Sequence, residues 1–248
     1  MTLAAAQTAA IASGHFFPLD EASGDTACAL TAATMVDTNT VGSGAGYFGT
    51  ARDFEASSSE CFIGGTAAVP PVFPRAGQEY SGCAVVTLES NSGNMTLLAV
   101  YGGAGMVVDF RTTSSAWRHY NDGDGSGGVS AALAAGSSTG SKHLIMWFND
   151  PTNELRGISV DGSAFTTAAT GAQSGTSTGA GNLGSFNASG DYFDGLMEHF
   201  VHIDDYVWSD ADAAALWASG SIVHFDDWDG GGASTVRFRG LTLLGVGC

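Results

Sequence analysis

The feature that most limits what this chain can become is its punctuation. Short runs rich in Val, Ile, Phe, Tyr and Trp are cut at close intervals by clusters of Gly, Ser, Thr and Asp, and 36 of the 248 residues are glycine. Runs this short that turn back so often read as an antiparallel sandwich or barrel. The sequence predicts strands over 15–19, 45–54, 80–89, 95–101, 106–112, 116–120, 142–148, 155–160, 196–203, 222–225 and 236–244. Apolar and polar residues alternate most clearly at 143–148 and 196–202, as expected where one sheet face is covered. Pro70, Pro71 and Pro74 break the chain between strands, because proline cannot donate to a ladder. One short helix is predicted near 209–219. Ser209 is its N-cap, Asp210 and Asp212 sit in the first turn where the dipole favours them, and Gly220 is placed to close it. The stretches 121–128 and 166–181 read as loops.

Charge removes several function classes. Eight Lys and Arg stand against 25 Asp and Glu, a formal net charge of −17, and Lys142 is the single lysine. Binding a phosphate backbone requires a basic stripe that this chain cannot supply, so no nucleic-acid partner is expected. A polybasic membrane anchor is excluded for the same reason, and no run approaches the ~18 apolar residues of a membrane span. Hydrophobic residues at 44% and aromatics at 10% still suffice for a core. Cys28, Cys61, Cys83 and Cys248 lack a C-x-x-C pair, which disfavours a zinc knuckle. They are expected as thiols in a reducing compartment; in an oxidising one, three pairings are open. Residues 1–13 are small and apolar but lack the positive start of a secretory signal. They read as an N-terminal arm, followed by one domain over 14–234 and a strand or tail over 235–248 that completes or docks it.

Four segments carry a resemblance. Phe17-Pro-Leu-Asp-Glu-Ala-Ser-Gly24 resembles the opening strand and turn of laminin-G-like, concanavalin A-like domains, and Gly49-Thr-Ala-Arg-Asp-Phe-Glu-Ala56 is similar to their next strand. Residues 141–165 resemble the family's strand, turn, strand and Val-Asp-Gly, here Val160-Asp161-Gly162. Residues 193–203, opening Phe193-Asp194-Gly195, and then 206–217 resemble its closing strand and Ser-capped helix. Where the family usually carries an Asp-Glu pair, this chain has Glu198-His199. The resemblance implies an all-β, two-sheet antiparallel jelly roll. It also implies a family that hosts lectins, polysaccharide-active enzymes, adhesion modules and virus-particle proteins, so fold alone fixes no function.

The chemistry expected of the chain is binding. Glucan hydrolysis on this fold needs two carboxylates on one strand at E-x-D-x-E spacing, which would set them ~5–5.5 Å apart, and no such run occurs. Glu198 and His202, four apart, are expected on one strand face, with His199 on the opposite face from His202. The G-x-S-x-G strings at 136–140 and 175–179 and the G-x-G-x-x-G strings at 123–128 and 179–184 lie in Ser/Thr/Gly-rich loops, away from the strand–helix settings that give them meaning. No catalytic residue and no cofactor is therefore assigned. Calcium is the one ion considered, with Asp122 and Asp124 in one acidic turn and Asp226 and Asp229 in another as candidate ligands. Solvated turn carboxylates are the competing reading. Trp117, Tyr120 and Trp228 are the candidate sugar-binding aromatics, against core packing as the alternative; Trp208 and Trp217 belong to the same set.

Two functions follow as expectations. One is a non-enzymatic virion surface protein, a capsid decoration or fibre component of a bacteriophage. It would be made in the host cytoplasm, partnered by particle proteins or copies of itself, and open to surface glycans. The other is a secreted or cell-surface carbohydrate-binding or adhesion module.

Overall fold

Two large antiparallel sheets face each other across the core. The computed structural model describes residues 3–64, 77–90, 92–100, 105–122, 129–132, 139–170, 181–186, 190–218 and 220–228. The first sheet runs Thr166–Ala169, Leu155–Val160, Lys142–Asp150, Tyr80–Leu88, Gly195–Asp204, Thr50–Phe54 and Gly42–Ala45, with Gly14–Phe17 also paired to Gly195–Asp204. The second runs Val129–Ala132, Ala116–Asp122, Gly105–Arg111, Met95–Val100, Gly181–Leu183, Cys61–Gly64, Thr34–Thr38 and Thr26–Ala27. This is the all-β jelly-roll sandwich expected from the sequence. Its inter-sheet core includes Phe54, Phe62, Phe110, Trp117, Trp147 and Phe200, all fully buried.

The first sheet is covered on both faces, where alternation predicted one. Val85, Leu144, Met146, Val201 and Ile203 point away from the inter-sheet core into a second apolar cluster with Tyr206, Trp208, Leu216, Phe225 and Trp228. The cover includes two helices, Leu3–Ser13 and Asp210–Leu216. The stretch expected as an arm is thus a helix laid on the sandwich, with Ala6 and Ala10, one turn apart, both fully buried. Small residues allow the close approach: a Cβ on Gly14 would stand 2.5 Å from the His202 carbonyl oxygen and 2.8 Å from Ala10 Cα.

The second helix is capped as expected but stops sooner. Ser209 Oγ accepts the Asp212 N–H while the Asp212 carboxylate accepts the Ser209 N–H, satisfying both end groups. Trp217–Ala218 then leaves the helix to pair with Ser221–Ile222, and Gly220, at φ +80°, serves that hairpin turn, not the helix end. Residues 45–54 divide in the same way, into Gly42–Ala45 and Thr50–Phe54 around a turn closed by Gly46 N–H on the Gly49 carbonyl. Thr166–Ala169, expected within a loop, is an edge strand. Asp161 and Gly162 take φ of +53° and +70° in the turn after Leu155–Val160. Residues 229–248, including the strand expected at 236–244, lie outside the described residues, as does Cys248. Cys28, Cys61 and Cys83 are buried free thiols.

One irregularity changes which residues share a face. The register between Gly195–Asp204 and Tyr80–Leu88 shifts between Glu198 and Val201, and His199 sits at φ +53°. A bulge inserts one residue and so reverses the in/out parity beyond it. Glu198 therefore faces outward, accepting the Tyr47 and Phe48 N–H groups at the tip of the 46–49 turn. His202 turns inward, 6.1 Å between ring centroids from Tyr80. The expected shared face of Glu198 and His202 is lost at the bulge, while His199, against Phe16 and Phe48, does lie opposite His202.

Candidate functional site

The strands Gly105–Arg111 and Ala116–Asp122 show what alternation does to the expected aromatics. Trp117 pairs in register with Phe110, and both rings turn into the core with centroids 5.5 Å apart. Tyr120, three positions on, must point the other way. Trp117 is 0% exposed and Trp228 3% exposed, so neither offers a sugar a ring face. Trp228 is instead packed on Phe225 and Trp208 with its Nε1–H donated to the Val223 carbonyl. Tyr120 and Trp217 are half-buried; Trp217 packs against the second apolar cluster, whereas Tyr120 stands on the outer face of the second sheet.

What surrounds Tyr120 is a charged cluster. Asp109 and Arg118 are register partners, Arg111 lies two residues from Asp109, and Tyr120 two from Arg118, so all four side chains share the outer face of the second sheet. Arg118 grips Asp109 with a fork, Nε to Oδ1 at 3.1 Å and Nη2 to Oδ2 at 2.9 Å. Arg111 reaches the same Oδ2 from its own strand. The Arg118 guanidinium lies 4.0 Å from the Tyr120 ring centroid, and Arg111 also hydrogen-bonds the Tyr120 hydroxyl. Asp109 is 1% exposed, whereas Arg111 and Arg118 keep 26% and 29% of their side chains open to water. Burial alone would lower the Arg118 pKa, but the hydrogen bonds and charge of Asp109 reverse it to a rise. Burial, then Asp109, pushes the Tyr120 hydroxyl up against the pull of the two arginines. Both shifts keep Arg118 a cation and Tyr120 a neutral phenol at neutral pH.

The acidic candidates meet a different fate. Asp122 closes the strand Ala116–Asp122, while Asp124 and Asp229 lie outside the described residues. Asp226 lies 3.5 Å from His224 in a 3-10 turn. Among the described residues, the carboxylates that do converge are Asp53, Glu55 and Glu89, with ligand atoms all within 4.8 Å of one another. Register explains them: Phe54 and Leu88 both pair with Gly195, so the residues that follow each strand emerge side by side at one sheet end. Burial, then Asp53, Glu55 and Asp194, raises the Glu89 pKa. A hard divalent cation is what such oxygens would hold. Glu55 and Glu89 are exposed, as solvated rim acids commonly are.

The fold is a concanavalin A-like sandwich, and the cluster of Asp109, Arg111, Arg118 and Tyr120 lies on a sheet face of it. No protein-family model and no curated protein matches the chain. Among solved structures it is similar to the Trypanosoma rangeli sialidase in complex with the inhibitor DANA, with 9% identity, a TM-score of 0.57, and coverage of 82% of this chain and 32% of that one. It is also similar to mouse laminin alpha1 chain domains LG4-5 (13% identity, TM-score 0.42, covering 54% and 39%). A third similar structure is the Ruminococcus gnavus IT-sialidase CBM40 bound to alpha2,3 sialyllactose (14% identity, TM-score 0.46, covering 57% and 83%). The chain spans about a third of the length of the sialidase chains it matches. At these identities the likeness is one of fold.

Proposed function

We propose that the chain is a non-catalytic carbohydrate-binding sandwich whose sugar-binding surface is the outer face of the second sheet around Arg118 and Tyr120. The observation that carries this reading is the register of Gly105–Arg111 with Ala116–Asp122. It places an aromatic ring, a forked donor held by a buried carboxylate, and a second arginine on one rigid strand pair. A sugar needs the same elements, an apolar ring edge to cover and planar donors with fixed direction for its hydroxyls. Strands hold such groups more firmly than loops do. The non-catalytic part rests on the sequence, where the one-strand carboxylate pair is absent, and on the rim, where Glu55 and Glu89 of the converging acids are exposed. A glycan array probed with the full chain is expected to give discrete signals that Tyr120→Ala reduces at least tenfold, a loss of about 1.4 kcal/mol. Its melting temperature should stay close to that of the parent. Signals that survive Tyr120→Ala unchanged would move the site elsewhere.

Display on a virus particle is the finer placement we propose, supported by the acidic, single-lysine composition. Cosedimentation with purified particles is the expected result. Recovery only as free monomers from cells would overturn it.

A further inference from the structure

We infer that the ligand of this face carries an isolated carboxylate on its sugar ring, an inference that rests on the sugar-binding reading above. The chain has 8 basic residues against 25 acidic ones. Among the described residues, Arg52 and Arg156 are fully buried, and the Lys142 ammonium sits 3.6 Å over the Tyr47 ring. The arginines that reach the surface among those residues are Arg111 and Arg118. In a molecule this acidic, both stand on one face of one strand pair.

Their common partner does not account for both. Arg118 takes both oxygens of Asp109 with its fork while Arg111 shares Oδ2, and neutralising that buried carboxylate takes one cation. Arg111 makes the cluster two cations to one anion, a surplus of one positive charge on a partly open surface. Its Nε, shielded from water, has no hydrogen-bond partner. A guanidinium is built to meet a planar carboxylate with two parallel donors, so a ligand carboxylate completes the charge balance that Asp109 leaves open. The same arithmetic sets an upper limit. One surplus charge in a field of −17 matches one carboxylate, while a polysulfated chain would be repelled by the rest of the surface. The Tyr120 ring beside the arginines then gives the sugar its apolar contact.

A ring carboxylate can come from a uronic acid or from an ulosonic acid, and the test carries both. The full chain is applied to an array of neutral, uronate-bearing, ulosonate-bearing and polysulfated oligosaccharides. Each acidic hit is re-measured in solution beside the same oligosaccharide with its carboxylate reduced to the alcohol. The expected result is binding confined to singly carboxylated sugars, with a loss of roughly tenfold or more on reduction, the size of one charge-assisted hydrogen-bond pair. Whichever acid class binds names the source. Arg118→Lys, which keeps the charge and loses the fork, should weaken the acidic hit by about tenfold. Arg111→Met should shrink the preference for acid over alcohol to under about threefold, while Arg118 still holds Asp109. Melting temperatures report that each variant is folded. Binding to neutral sugars, or equal binding of acid and alcohol, overturns the carboxylate inference and leaves the sugar-binding reading standing. Preference for polysulfated chains also overturns it. An array blank throughout overturns both.

Discussion

Trp117→Ala is expected to lower the stability of the fold by about 3–5 kcal/mol, the cost of emptying a tryptophan-sized site in a packed core. For a chain of this size that is a fall in melting temperature on the order of 10 °C. The ring is 0% exposed, lies among the inter-sheet residues and meets Phe110 at 5.5 Å. Its Nε1–H has no partner, which makes Trp117→Phe much milder: it trims volume but also removes a buried, unsatisfied donor. Below its melting temperature, Trp117→Ala should bind the same sugars as the parent. A Trp117→Ala protein of unchanged stability that no longer binds sugar would restore this residue as part of the site.

Acid should destabilise the protein strongly, and histidines set the window. Burial, helped by the Arg156 charge, lowers the His119 pKa to about 3 against the opposing hydrogen bond to the Gly157 carbonyl. Burial and then His202 lower His15 to about 4, with Asp204 opposing. Burial and then His224 put His199 well below its ordinary value. Each is neutral in the fold and binds a proton near its ordinary value of about 6.5 in the unfolded chain. Between the two values the unfolded state holds more protons, so stability rises with pH there. The contribution is whole above about pH 6.5 and is lost as pH falls toward the folded values. Each histidine supplies a slope on the order of 1 kcal/mol per pH unit. Glu198, Glu60, Glu79 and Glu89, each raised chiefly by burial, work the other way between their ordinary and raised values, and only partly offset three histidines displaced further. Urea midpoints measured from pH 7.5 to 4.5 should fall steadily, and His119→Gln should remove about one proton from the slope. Midpoints that stay level or climb on acidification would contradict the neutral, buried assignment.

Much of the sandwich was legible because strands of this kind write their period into the sequence. Residues 155–160 match the observed strand end for end, and Ser209 with Asp212 announced the second helix. The segments that hid are those whose side chains carry no pattern. Thr26–Ala27, Gly42–Ala45 and Gly181–Leu183 are short and small-residued, and their strand character comes from pairing. The helix Leu3–Ser13 shows no apolar stripe, because alanines on every side give it no distinct face and packing at Ala6 and Ala10 does the selecting.

The site followed the same rule. Trp117 and Tyr120 are three residues apart, and strand parity alone separates them, a signal the sequence did hold. Asp109, two before Arg111 and nine before Arg118, is a partner that only the register of two strands reveals. The rim acids Asp53, Glu55 and Glu89 depend on Gly195 lying between two other strands, which no spacing in the chain encodes. The bulge at His199 is likewise invisible as a pattern, and it moved Glu198 and His202 to opposite faces.

The measurement that tests the central claim most directly is amide and side-chain chemical-shift mapping of the full chain against a sugar drawn from the array. Binding at the second sheet predicts shifts concentrated at Asp109, Arg111, Arg118 and Tyr120, including the Arg118 Nε–H. The amides of Asp53, Glu55 and Glu89 should stay still. Shifts gathered on those three rim residues, with the Arg118 Nε–H unmoved, would contradict it.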